Sequence, residues 1–323
     1  MKSALASFLL AALLVLHSRT AGADDPKDEL RKRVYDVSVA SGRLLVSAEI
    51  GLRIFEAARP ERLIGEFEVE GSALSALAKG DLVFVCAGPM GLYAVDMKDP
   101  ARPKLAGRFD SPGAANQVLV EGTTAYLADG TLGTAVLDVS EPSRMAERAR
   151  MDTGDYSRGI ALAGGRLFTA EDRDGMGVWD VSDPVKPKLV NRVAVPGQVR
   201  AIRIREGVAY VALGTAGLGA ISIEPGKPPG LVTVAKTSDT ARGVALLGTR
   251  YVVVADGTAG IKVFDGQDPG KLVFVSEVRG VEGSANRIAV EGTRAFVAYD
   301  YAGLRVFDLA DPASPELVPG GRR

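Results

Sequence analysis

The chain has 323 residues with 39 basic against 40 acidic side chains, so it carries no broad cationic field for nucleic acid or an anionic membrane surface. It contains one cysteine, which permits no internal disulfide, and one histidine, His17, which lies in a segment expected to be removed. Without histidine, the remainder cannot build a histidine triad or a histidine-bearing zinc, copper or haem site.

The first predicted element is a secretory signal peptide over residues 1–23. Basic Lys2 precedes an uncharged apolar run from Ala4 to Leu16, and Ala21-Gly22-Ala23 forms a small-residue cleavage site before Asp24. The run is too short for a bilayer, which needs about 20 apolar residues, so no transmembrane segment is expected in the mature chain. The expected location is therefore extracytoplasmic, in the periplasm or at the cell exterior. Residues 24–32 form a short N-terminal segment, and everything from 33 to 323 reads as one repeat array.

Its units open on Gly51, Gly91, Gly133, Gly175, Gly217, Gly260 and Gly303, at spacings of 40, 42, 42, 42, 43 and 43 residues. A period of 40 to 50 residues with strand patterning predicts blades of a propeller, whereas a helical solenoid needs longer amphipathic stripes. Each unit reads as four short strands. In the last, "NRIAVEG" alternates and ends on a glycine turn, "TRAFVAYD" is its hairpin partner, "LRVFDL" is the third strand and "PELV" starts the fourth. The prediction is an all-β, seven-bladed propeller. Its chain starts on an innermost strand and ends on an outermost one. Closure is then expected from face packing of the first blade on the seventh, unless "DELRK" or the tail adds a strand.

Asp96, Asp138, Asp180, Asp265 and Asp308 end third strands. There a short carboxylate can accept backbone N–H bonds, and the proline four residues on presets φ for the turn. These aspartates are read as structural turns. Trp179, Phe55, Phe264 and Phe307 share a third-strand register and are expected to face neighbouring blades. Cys86, in "DLVFVCAG", is read as a buried small hydrophobe.

"GLRVFDLADPASPELV", "GIKVFDGQDP", "GVWDVSDPVKPKLV" and "GLYAVDMKDPARPKLAG" resemble the LVIVD repeat family of bacterial exported β-propellers over nearly the whole mature chain. The first unit departs, with Glu56 in the aspartate position, and so does the fifth, "GLGAISIEPGKPPGL". The resemblance implies an extracytoplasmic propeller and brings no catalytic residues or cofactor.

Propeller sites sit most often where innermost strands begin, at the channel mouth. Counting back from the hairpin glycines places Asp36, Leu74, Asn116, Arg158, Arg200, Arg242 and Asn286 there, with arginine in three successive blades. In one reading each arginine forks onto a loop carboxylate and fastens blades together. In the other, Arg158, Arg200 and Arg242, flanked by Asn116 and Asn286, form an arc that takes an anionic group of an envelope protein or glycan. The expected function is a non-catalytic binding or scaffolding module without cofactor. The catalytic alternative is a calcium-dependent hydrolase with Asp36, Asn116, Asn286 and Asp300 as oxygen ligands, a set that the neighbouring guanidinium groups would oppose.

Overall fold

The computed structural model describes residues 33–319. The signal peptide predicted over 1–23, the segment 24–32 and the last four residues lie outside the described residues. Seven four-stranded antiparallel sheets follow one another over residues 34–67, 75–109, 117–151, 159–193, 201–235, 243–278 and 287–317. Each is a single contiguous stretch whose strands pair in chain order, and the sheets stand in a ring as the blades of a β-propeller. One 3-10 turn, Pro142–Arg144, is the only helical element among the described residues. None of these elements is a helix long and apolar enough to cross a membrane.

The second strand of each blade explains the architecture. Runs such as LVFVC, TAYLA and YVVVA are apolar on both faces and almost wholly buried, which a strand can satisfy only with a sheet on either side. The seven hydrophobic clusters accordingly lie between neighbouring blades. Trp179, Phe55, Phe264 and Phe307 each anchor one of them, and each such side chain contributes roughly 1.5–3 kcal/mol on burial. Cys86 sits in the cluster between the second and third blades, where burial pushes its thiol up to about 12.

Between blades, the residue two positions before an innermost strand bridges back to the preceding blade: Ala115 to Gly88, Ser157 to Gly130, Val199 to Asp172, Ala241 to Gly214 and Ala285 to Gly257. Ring closure repeats the device. Val34 bridges to Asp300, its N–H donating to the Asp300 carbonyl at 3.0 Å, and a hydrophobic cluster joins Val37, Val46 and Phe55 to Phe296 and Val306. Among the described residues no strand is exchanged, so the first and seventh blades meet face to face.

The five third-strand aspartates make one contact in common. Each Oδ1 accepts the N–H two residues on, from Lys98, Ser140, Ser182, Gln267 and Ala310, at 2.8 to 3.0 Å. The turns also reach the preceding blade: Ser276 Oγ donates to the carbonyl of Pro312 at 2.6 Å. The glycine that opens each third strand is fixed by space as well as φ. At Gly133, φ is +80°, and an added Cβ would collide with the carbonyl oxygen of Met151 on the fourth strand.

Candidate binding site at the channel mouth

The innermost strands start on one face of the ring, called here the top. Leu74, Asn116, Arg158, Arg200, Arg242 and Asn286 occupy equivalent positions there. Each donates its backbone N–H to the carbonyl that ends its own second strand, Cys86, Ala128, Ala170, Ala212, Ala255 and Ala298, at 2.7 to 3.0 Å.

Asp36 does not belong to that ring. Counting from the hairpin glycine misplaces it by one residue, because the first hairpin puts Ser41 (φ 52°) in the first left-handed turn position and Gly42 (φ 71°) in the second. Most other blades put the glycine first. Asp36 therefore pairs with Ser47 in the register of Ser75, Gln117 and Arg287, one step deeper in the channel, and Tyr35 takes the mouth position.

The arginines of the arc differ in what they hold. Arg158 forks onto Asp172 of its own blade, Nε and a terminal nitrogen donating to Oδ2 at 3.2 and 2.8 Å, and lies 4.8 Å over the ring of Tyr156. Arg200 has no carboxylate; a terminal nitrogen donates to Gln198 Oε1 at 2.6 Å, while its buried Nε has no partner. Arg242 has none either. It donates to Asn286 Oδ1 at 3.0 Å and likewise leaves a buried Nε unpartnered. Asn116 is committed to Tyr156 and the carbonyls of Ala114 and Ser157.

The cause lies two residues beyond the second strand. Blade four carries Asp172 there, whereas blades five and six carry Gly214 and Gly257 in the same bridge position. Other top-face carboxylates are taken by arginines of the fourth strands. Arg150 donates to Asp129 Oδ2 at 2.8 Å and Arg192 to Glu171 Oε2 at 2.6 Å, both acidic side chains being fully buried. Asp256 instead accepts the backbone N–H groups of Ser238 and Asp239.

Beneath the arc lies a waist that the sequence reading missed. Arg287, adjoining Asn286, donates to the carbonyl of Arg242 at 2.6 Å, and Arg203 to the carbonyl of Ile202 at 2.9 Å. They flank Asp36. Burial pushes the Asp36 carboxyl up to about 6, an effect that Arg287 and Arg203 only partly offset. Arg200 is held below its ordinary value by burial and by repulsion from Arg158 and Arg242, and Arg287 by burial and by repulsion from Arg203, Arg158 and Arg200. The signal for the waist was a charged residue inside an inner strand, as in "RAIRIRE", where a propeller strand is otherwise small or apolar.

Of the four residues of the calcium alternative, only Asp36 and Asn116 line one cavity, and the other two are held elsewhere. Asp300 holds Arg33 at the ring closure at 2.5 Å, Asn286 faces Arg242, and Asp36 lies in the waist. Among the described residues no group of three or more histidine, cysteine, aspartate or glutamate side chains is placed to hold a metal ion.

The arrangement defines a repeat β-propeller with a cationic channel mouth. The chain belongs to the LVIVD repeat family, whose model matches residues 70–111, 112–153, 154–195 and 282–319, just over half of its length. The first and fifth units, which depart from the motif, lie outside those matches, and so does the sixth, which carries it. No curated protein matches the chain. Among solved structures, it is similar to the computationally designed Ika8 protein, with 9% identity and a TM-score of 0.65 over 86% of this chain and 96% of that one. It is also similar to BamB from Moraxella catarrhalis, with 15% identity and a TM-score of 0.58 over 85% and 82% of the two chains. At such identities the likeness is one of fold alone.

Proposed function

We propose that this protein is an exported, non-catalytic binding module of the bacterial cell envelope that takes a protein or glycan ligand at the top-face channel mouth. The signal-like N-terminus and the LVIVD membership support export. One observation carries the binding reading: Arg200 and Arg242 stand side by side at the mouth with no carboxylate and with unpartnered buried nitrogens. Each unpartnered buried donor costs about 1–3 kcal/mol, and here two of them belong to adjacent cations at the mouth, where an anionic ligand would relieve both.

The test is residue-resolved cross-linking of the purified mature protein in envelope extract, comparing wild type with a folded variant carrying Arg200→Gln and Arg242→Gln. A partner captured through the mouth by wild type and lost from the variant is the expected result. Capture of the same partners through other surfaces by both proteins refutes the placement of the site.

A further inference from the structure

Four guanidinium groups, those of Arg158, Arg200, Arg203 and Arg287, line the constriction below the mouth against the single carboxylate of Asp36. Asp172 neutralises Arg158, so three cations share the one carboxylate of Asp36. A guanidinium does not shed its proton at ordinary pH, so the excess charge is permanent. The crowding is unrelieved by design of the blades: where blade four supplies Asp172, Gly214 lies against Arg200, so close that an added Cβ would stand 3.5 Å from its Nε. The constriction itself leaves only about 20 Å³, room for a single water-sized group. A separate chamber of about 540 Å³ below it is lined mainly by apolar residues such as Leu77, Leu119 and Ile204. A ligand held by the arginines therefore sits at the mouth and sends at most one polar atom into the waist.

We propose that the mouth binds an oxyanion group, a phosphate or a carboxylate, gripped by Arg200 and Arg242 with Arg287 and Arg203 beneath it. The proposal rests on the reading of the mouth as a ligand site and supplies its chemistry. Planar guanidinium forks with free N–H groups match two oxygens of one oxyanion, whereas a metal cation is repelled and a neutral ligand leaves the charge excess in place. Burial makes each contact stronger than its counterpart at an open surface.

The oxyanion could be free or carried on a larger molecule, and the probes separate these. The mature protein is titrated calorimetrically with inorganic phosphate, glycerol phosphate and citrate, at low and raised salt. Saturable binding of at least one is expected, weakening with salt. Binding of inorganic phosphate identifies a free anion as sufficient, and binding of glycerol phosphate alone identifies a carried group; both support the site.

Two kinds of variant test the residues. Arg200→Gln and Arg242→Gln are each expected to weaken binding about tenfold or more, equivalent to about 1.4 kcal/mol, with a melting temperature equal to or above that of wild type. Gly214→Asp copies Asp172 into blade five, in a left-handed position that Asp172 itself adopts (φ 43°), and is expected to abolish binding while the fold persists. Absence of saturable binding by any probe overturns the proposal, as does binding unchanged in all three variants. A fall in melting temperature in both glutamine variants marks the arginines as fasteners and also overturns it. If no probe binds but the cross-linked partner is still lost on removing the arginines, the oxyanion chemistry fails while the binding module stands.

Discussion

Asp36 should make the stability of this propeller rise on mild acidification. Its carboxyl lines the narrow channel waist, and its folded value of about 6 lies above the ordinary 3.8. The shift comes from burial, against the opposing pull of Arg287 and Arg203, which face it and do not titrate in this range. A group with a raised folded value binds its proton more readily in the native state. Between the two values the folded protein is protonated while the unfolded chain is charged, so unfolding releases a proton and stability increases as pH falls. The full difference is worth about 3 kcal/mol at about 1.4 kcal/mol per unit, of which about 1.4 kcal/mol is gained on going from about pH 7.5 to about pH 5. Urea unfolding of wild type and Asp36→Asn at both values isolates this contribution, because every other titrating group is common to the two proteins. Wild type should gain about 1.4 kcal/mol more than the variant on acidification. A wild-type-minus-variant difference that is constant with pH, or that moves the other way, refutes the argument that burial outweighs the two arginines.

Two further outcomes follow from the blades. Arg150→Ala leaves Asp129 fully buried with the Ser111 hydroxyl as its only side-chain donor, and should cost about 2–3 kcal/mol in chemical denaturation; this is below the value for a wholly buried pair because Arg150 is a quarter exposed. Gly133→Ala should cost several kcal/mol, combining a left-handed φ with a collision against Met151, whereas Gly122→Ala, at φ +57° with open space around it, should cost only about 1 kcal/mol; comparable losses at the two positions would show that φ alone governs both.

Most of the architecture was legible because its signals are local and repeated. A left-handed hairpin residue, an aspartate accepting the N–H two residues on, and a second strand apolar on both faces each need only a few neighbours in sequence, and the period of about 42 residues states the first and last seven times and the aspartate five. Closure of the ring was harder, because face packing leaves no strand-exchange signature; only the coordinates show Val34 repeating the bridge that Ala115 and Ala285 make elsewhere. The depth of Asp36 was misread for a similarly small reason. The Ser41-Gly42 turn has two left-handed residues with its glycine second, whereas Gly80, Gly122 and Gly292 lead turns with a single left-handed residue, and that difference shifts the count by one.

The partners of the mouth arginines were less accessible, although part of the answer stands in the sequence. Arg150 reaches Asp129 across 21 residues and Arg192 reaches Glu171 across the same interval, from the fourth strand to the loop after the second. That interval consumes the carboxylates which a list of charged top-face loops makes available to the inner arginines. What is left for them is the next residue of the loop. Once the blades are aligned by their second strands, it reads Asp172, Gly214 and Gly257 in blades four to six. A ring evolved to fasten blades would pair the arginine in every blade that carries one, as Arg158 is paired. Blades five and six keep the arginine with glycine at the bridge position, as blades two and three also have it, and in blade six the Asp239 carboxylate lies beside that glycine without bonding Arg242. What sets blades five and six apart is therefore a mouth arginine with no bonded carboxylate, which a binding site requires and a structural salt bridge does not.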